Sequence, residues 1–297
     1  MHAPLIPYFT LPELPLVPAH TFGSFPPVDI SIKPFGALVA TGVLLGSNLT
    51  LKRARRVGLD ERVMASFIAW IVGIGFVGGH VLDELLYYPQ RVLADPLSLF
   101  RLWDGLSSFG GFVGAFIGML IWRWRNKVET LPYCDNVMSM FPVGWAFGRT
   151  GCATAHDHPG LRSESWLAVQ FPGGGRFDLG LLELLATIPL MIAFLWLARK
   201  PRPWGFFLAL GCTSYAPVRF ALDFLREHEP IPGDVRGAID PRYFFLTPAQ
   251  WECFVMLAAG LFLLWRVLGK VSQGAGFERA QIPEAFQSPP LASDSKA

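Results

Sequence analysis

Ionisable side chains are scarce in this sequence, and several of them gather at helical spacing. Tyr215, Arg219 and Asp223 stand four residues apart, which places them close to one face of a helix. Pro217 lies within that stretch and should kink the helix, freeing the carbonyl of Thr213. A second arginine sits in Gly148-Arg149-Thr150-Gly151-Cys152, where the glycines let a backbone or a ligand approach closely. Two guanidinium forks at one depth could clamp a phosphodiester. Two plainer readings stay open: Arg219 pairing with Asp223 to neutralise both, and Arg149 snorkelling to an interface. His156, Asp157 and His158 follow shortly after. Imidazole titrates near neutral pH, so proton transfer is the chemistry that fits them. A metal is not expected, because two histidines and one carboxylate have no third ligand at a convincing spacing. No cofactor is implied.

These residues need a scaffold, and composition says which kind. The chain has 297 residues, 52% apolar and only 16% charged. Its mean hydropathy is +0.38. A soluble surface needs more charge, about 25%. The net charge of +2 is too small for a nucleic-acid footprint, so no nucleic acid is expected. Cys134, Cys152, Cys212 and Cys253 show no CxxC spacing and read as small core residues. A helical integral membrane protein remains. No Lys or Arg precedes Lys33, so the N-terminal stretch is not read as a cleavable signal.

Seven apolar segments, 30–51, 63–83, 109–122, 132–152, 179–198, 204–225 and 245–268, are read as spans of an all-α polytopic membrane protein. The connecting segments 52–62, 123–131 and 199–203 hold 11 Lys or Arg, whereas the longer 84–108, 156–177 and 226–243 hold 7. The first set should be cytoplasmic, with the N-terminus outside and the C-terminus inside. The expected organisation is an outer-surface segment at 1–29, a membrane domain at 30–270 and a disordered cytoplasmic tail at 271–297. The ionisable residues then cluster in the outer halves of the spans. There each costs at least about 2.5–3.5 kcal/mol unless paired or functional. Arg219, six residues before Leu225, falls about 9 Å below the outer end, a depth that suits a lipid phosphate. Gly110, Gly114 and Gly118, four apart, should let helices pack closely.

At these residues the sequence resembles the bacterial prolipoprotein diacylglyceryl transferase family, over about Phe25 to Lys270. The stretch Ala94–Gly105, continuing through Leu106-Ser107-Ser108-Phe109-Gly110-Gly111, is close to the family pattern ADPLxLFRxWDGGxSFHGG. Gly148–Cys152 resembles its GRxGN or GRxGC signature, and Tyr215-x3-Arg219-x3-Asp223 its Y-x3-R-x3-E motif. Leu246-Thr247-Pro248-Ala249-Gln250 matches its LTxxQ. The resemblance implies a multi-pass protein of the bacterial inner membrane. It would transfer the diacylglyceryl group of phosphatidylglycerol to the lipobox cysteine thiol of a preprolipoprotein, releasing glycerol phosphate. Arg219, Asp223, Tyr215, Asp157, His156 and His158 would be catalytic. Arg149, Arg219, Gly151, Cys152 and Gly160 would bind the lipid phosphate. Phe109, Gly110, Gly111, Phe35 and Glu183 would line the cavity.

The sequence departs from the family pattern at several of these positions. Phe109 stands where the pattern has histidine, Cys152 where it often has asparagine, and Asp223 where it has glutamate. Phe35 replaces a tyrosine, and of the H-P-x-Q-x-Y-E stretch only Glu183 is retained. The alternative is a non-catalytic or altered-substrate paralogue that binds phospholipid or lipoprotein. A transporter is disfavoured, since the inner halves of the spans are nearly free of polar residues and no repeated half is evident.

Overall fold

The computed structural model describes residues 6–20, 28–101, 105–227, 242–272 and 286. Two strands, β1 (Leu14–His20) and β2 (Val28–Ile32), pair antiparallel before the first helix. The helices are α1 (Pro34–Arg56), α2 (Glu61–Tyr87), α3 (Pro89–Ala94), α4 (Ser108–Asn126) and α5 (Leu131–Ala155). After a small sheet come α6 (Leu179–Leu197), α7 (Phe206–Leu222) and α8 (Pro248–Ser272). Each of the seven apolar segments read from the sequence carries one long helix. Four stretches, Pro34–Arg56, Glu61–Leu86, Leu179–Leu197 and Pro248–Gly269, are long and apolar enough to cross a membrane. Leu44, Ile192, Val255 and Leu261 are exposed on these helices, as lipid-facing side chains would be.

Two short sheets accompany the expected helices. The paired strands β1 and β2 precede Lys33, and α1 starts at Pro34, at the first helical position, where a missing N–H costs nothing. The Gly-rich segment 159–178 forms β3 (Pro159–Arg162), β4 (Val169–Phe171) and β5 (Gly174–Asp178), ordered β3-β5-β4 and antiparallel. It is too polar for a helix in lipid, and strand pairing satisfies its backbone instead. The tail expected at 271–297 lies, apart from Val271, Ser272 and Phe286, outside the described residues.

The helix ends follow local chemistry. Asp60 caps α2 by accepting from Arg62 N at 2.8 Å and Val63 N at 3.1 Å. Asp178 does the same for α6 through Leu181 N at 3.0 Å. Gly205 precedes α7 at φ 95° and has no side chain to cap with. Asp135 of α5 supplies the acceptor instead, taking Leu208 N at 2.9 Å. Within apolar surroundings the hydroxyls of Thr150, Thr187 and Thr213 bond back to carbonyls of their own helices at 2.7–2.8 Å.

The chain divides into two compact units, one drawn from 1–50 and 135–276, the other from 51–134 and 277–297. In the second, α2 and α4 touch backbone to backbone. A Cβ placed on Gly78 would lie 2.7 Å from Gly114 Cα, and one on Gly114 would lie 2.5 Å from Ile74 O. The four-residue glycine spacing therefore marks a packing seam. Phe67, Trp122 and Tyr133 form its aromatic core. His80 is fully buried, and its ring nitrogens face Gly105 O at 3.2 Å and Ser98 O at 3.1 Å, which ties the connecting loop to α2. The first unit packs Met140, Phe194, Ala198 and Phe207 into its own core and contains the site described next.

Candidate active site

Arg149, Glu183 and Arg219 come from three different helices, α5, α6 and α7, and meet in the first unit. Arg149 Nε donates to Glu183 Oε1 at 2.9 Å. The same oxygen accepts from Trp145 Nε1 at 3.2 Å and from the Tyr215 hydroxyl. Glu183 Oε2 faces Arg219 Nη1 at 3.9 Å. Arg219 Nη1 lies 3.1 Å from Asp223 Oδ1, and Arg226 Nε donates to that oxygen at 2.7 Å. The Thr247 hydroxyl donates to Asp223 Oδ2. The result is a chain of alternating charge, Arg149–Glu183–Arg219–Asp223–Arg226, with one more cation than anion.

Burial makes this chain consequential. The side chains of Arg149, Glu183 and Arg219 are 7%, 2% and 10% exposed. Charges in such a setting are retained only when paired and hydrogen-bonded. Arg149 also lies over the Trp145 ring at 4.5 Å, which fixes the plane of its guanidinium. Arg149 and Arg219 each carry five N–H donors. The excess charge and these donor-rich forks suit an anion with several oxygens. Beside Tyr215, a mostly apolar cavity of about 180 Å3 is lined by Ala186, Leu190, Ser214, Tyr215 and Val218.

The 246–250 stretch has a clear structural job. Thr247 Oγ1 accepts from Gln250 N at 3.2 Å, and Gln250 Oε1 accepts from Thr247 N at 3.0 Å. This reciprocal pair caps α8, with Pro248 in its first turn. It aims the Thr247 hydroxyl at Asp223. Three separate sequence motifs thus converge on one buried charge chain.

Comparison with known proteins identifies the family. The family model for prolipoprotein diacylglyceryl transferase matches residues 24–266. This chain belongs to the prolipoprotein diacylglyceryl transferase family. It is similar to proteins named phosphatidylglycerol–prolipoprotein diacylglyceryl transferase. The one from Chromohalobacter salexigens is 29% identical, covering 82% of this chain and 92% of that protein. The one from Pasteurella multocida is 32% identical over 70% of this chain and 81% of its own length. That from Vibrio campbellii is 30% identical, over 76% and 88%.

In this diacylglyceryl transferase family member the remaining candidate residues are distributed as follows. His156 ends α5 with φ at 52°. Its Nδ1 lies 2.6 Å from Asp178 Oδ2, its Nε2 lies 2.9 Å from Phe9 O, and its ring stacks on Tyr8 at 4.1 Å. Both nitrogens are thus engaged, Nδ1 with the start of α6 and Nε2 with the N-terminal segment. Burial pushes the Asp178 carboxyl up from its ordinary range, and the His156 hydrogen bond opposes that shift. His158 Nδ1 lies 2.5 Å from Asp157 Oδ1, and Cys152 is close to both. Arg149 Nη1 donates to Cys152 Sγ at 3.8 Å.

Gly160 and Gly151 are close-approach positions. A Cβ on Gly160 would lie 2.5 Å from Leu225 O, and its carbonyl accepts from Arg176 Nη1 at 3.1 Å. A Cβ on Gly151 would press on the Phe35 ring at 2.9 Å. Phe109, Gly110 and Gly111 belong to the second unit, where a Cβ on Gly110 would meet Gly78 O at 2.5 Å. Trp145 and Arg226 carry site contacts that sequence reasoning missed. The available signals were Arg226 three residues after Asp223 and Trp145 four before Arg149, both one helical turn away.

Proposed function

We propose that this chain transfers the diacylglyceryl group of phosphatidylglycerol to the lipobox cysteine thiol of preprolipoproteins and releases glycerol phosphate. The observation that carries this reading is the meeting of Arg149 and Arg219 on one buried carboxylate, in a chain whose relatives are named for that reaction. Arg149 and Arg219 hold the lipid phosphate, and their charge stabilises the phosphate oxygen as the ester bond to the glyceryl carbon breaks. Glu183 keeps the two forks apart at a fixed spacing, with Tyr215 and Trp145 orienting it. Asp223, itself held by Arg226 and Thr247, sets the position of Arg219. Gly151, Cys152 and Gly160 lie beside the phosphate, and Phe35 packs behind Gly151. The cavity along Ala186, Leu190 and Val218 takes part of an acyl chain. Asp157 and His158 handle the thiol proton, since the thiolate is the nucleophile. His156, engaged at both nitrogens, supports them through the backbone.

The protein crosses the bacterial inner membrane seven times, with its N-terminus outside and its C-terminus cytoplasmic. Loop charge supports this topology. Asp135, Asn136 and Arg149 lower the hydropathy of α5, and α7 is only 17 residues long. Those are the helices that contribute the site's arginines.

A second reading, a paralogue that binds phospholipid without transferring it, is favoured by Phe109 standing where the family pattern has histidine. The test is to incubate the detergent-purified protein with phosphatidylglycerol and a lipobox peptide and weigh the peptide by mass spectrometry. A diacylglyceryl thioether with equimolar glycerol phosphate is expected. Bound lipid without product would favour the second reading.

A further inference from the structure

Tyr243, Phe244, Phe245 and Leu246 form a tight turn just before α8. Tyr243 N donates to Leu246 O at 2.8 Å, and Leu246 N donates to Tyr243 O at 3.1 Å. Both central residues have positive φ, 51° at Phe244 and 68° at Phe245. Two-residue turns of that kind are usually built from Asn-Gly, because a larger side chain crowds the backbone in this region. Here both positions carry phenylalanine, 87% and 89% exposed. Strained backbone persists only where its surroundings over-determine it, and such positions gather at functional sites. Two contacts hold this turn. Trp251 Nε1 donates to Tyr243 O at 3.0 Å, and the residue after the turn, Thr247, is buried in the cap of α8.

The two rings continue an apolar face. Phe244 meets Trp251 edge-on at 6.5 Å, and Trp251 lies 5.8 Å from Phe254. Trp251, Phe254, Val255, Leu261, Phe262 and Trp265 share one side of α8, and all are exposed. That helix is long and apolar enough to cross a membrane, so this side faces lipid. The turn carries the face past the end of the helix. Its rings need apolar surroundings and its backbone needs hydrogen-bonding ones. The boundary between headgroups and acyl chains supplies both, which is where aromatic residues concentrate in membrane proteins.

We propose that Phe244 and Phe245 form a wedge seated in the headgroup–acyl boundary of the bilayer, and that this seat sets the depth of the phosphate clamp. Thr247 follows Phe245 by two residues, at most about 7 Å of chain. Its hydroxyl donates to Asp223, and Asp223 Oδ1 lies 3.1 Å from Arg219 Nη1. A turn fixed at the boundary therefore fixes Arg219 near the level of the lipid phosphates. The depth-setting role rests on the transferase reading; the lipid seat does not.

The test uses the full-length protein with p-benzoylphenylalanine in place of Phe245, reconstituted in phosphatidylglycerol vesicles and irradiated with and without the lipobox peptide. A phospholipid adduct is expected by mass spectrometry in both samples. Replacement of the lipid adduct by a peptide adduct, or no adduct at all, would overturn the lipid seat. The double variant Phe244→Asn/Phe245→Gly removes the rings and supplies the usual residues of this turn, so it should melt no lower than wild type in detergent. In vesicles its transfer to the peptide should fall at least tenfold. In detergent, with short-chain phosphatidylglycerol, it should match wild type. Phe244→Trp/Phe245→Trp keeps large rings and should keep the wild-type rate in vesicles. Wild-type transfer in vesicles by the Asn/Gly double variant would overturn the depth-setting role. So would an equal loss in detergent, which would mean a damaged site and not a misplaced one. A lipid adduct at position 245, with no transfer by wild type under either condition, would uphold the lipid seat and reject the transferase reading.

Discussion

Glu183 brings the two arginines together, and its neighbours follow from what a buried carboxylate requires. It accepts from Arg149, Trp145 and Tyr215 on one oxygen and faces Arg219 with the other. Replacing Glu183 by Gln keeps the shape but turns an NH2 group toward donors and leaves two buried guanidiniums short of a counter-charge. Breaking a buried pair in this way costs about 3 kcal/mol or more. We expect a clearly lower melting temperature in detergent and a fall in transfer rate. An unchanged melt would mean that this contact does not hold the site together. At the same scale, Tyr215→Phe removes one hydrogen bond to a charged group, worth about 1.5–3 kcal/mol. It should disturb the melt less than Glu183→Gln, and the same melting experiment checks the order.

Helices succeed here because their ends and seams are specified by a few residues. Thr247 caps α8 and holds Asp223 at once, so Thr247→Val should cost about 1 kcal/mol for the cap alone. Thr247→Ser keeps the hydroxyl and should retain both stability and transfer, which melting curves and the peptide assay would resolve. In the α2–α4 seam, Gly114→Leu has no room and should destabilise by more than the about 1–3 kcal/mol typical of overpacking. Loss of soluble, monodisperse protein in detergent would report it, and normal yield would contradict the close approach. Much of this was legible in the sequence, because apolar runs, glycine spacing and the arginine motifs are local signals. The pairing of β1 with β2 and the sheet at 159–178 were not, since each depends on pairing between segments of weak pattern. Nor were Trp145 and the Cys152–Asp157–His158 grouping, which arise only when α5, its closing turn and α6 are packed together. Asp135 as a cap for α7 is likewise a tertiary contact across 73 positions.

The whole molecule is a helical membrane protein, and the proposed sidedness of its loops can be tested by labelling. Arg125 and Lys200 are exposed and belong to the loops read as cytoplasmic, and Glu164 is exposed in a loop read as outer. Single cysteines at these positions, in a background lacking the four native ones, should separate by reaction with a membrane-impermeant maleimide in intact cells. Position 164 should label and positions 125 and 200 should not. Labelling at 125 or 200 would invert or reduce the proposed seven-span topology.

The most direct test of the account is made at the two arginines. Detergent-purified wild type, Arg149→Ala and Arg219→Ala are each given phosphatidylglycerol and a lipobox peptide, with the thioether product and released glycerol phosphate both quantified. Removing one donor group from a site that stabilises developing charge lowers rates about 100-fold to 1,000-fold. The account predicts losses of at least that size in both variants, each still folded by its melting curve. Wild-type rates in either folded variant would contradict the claim that these guanidiniums hold the phosphate.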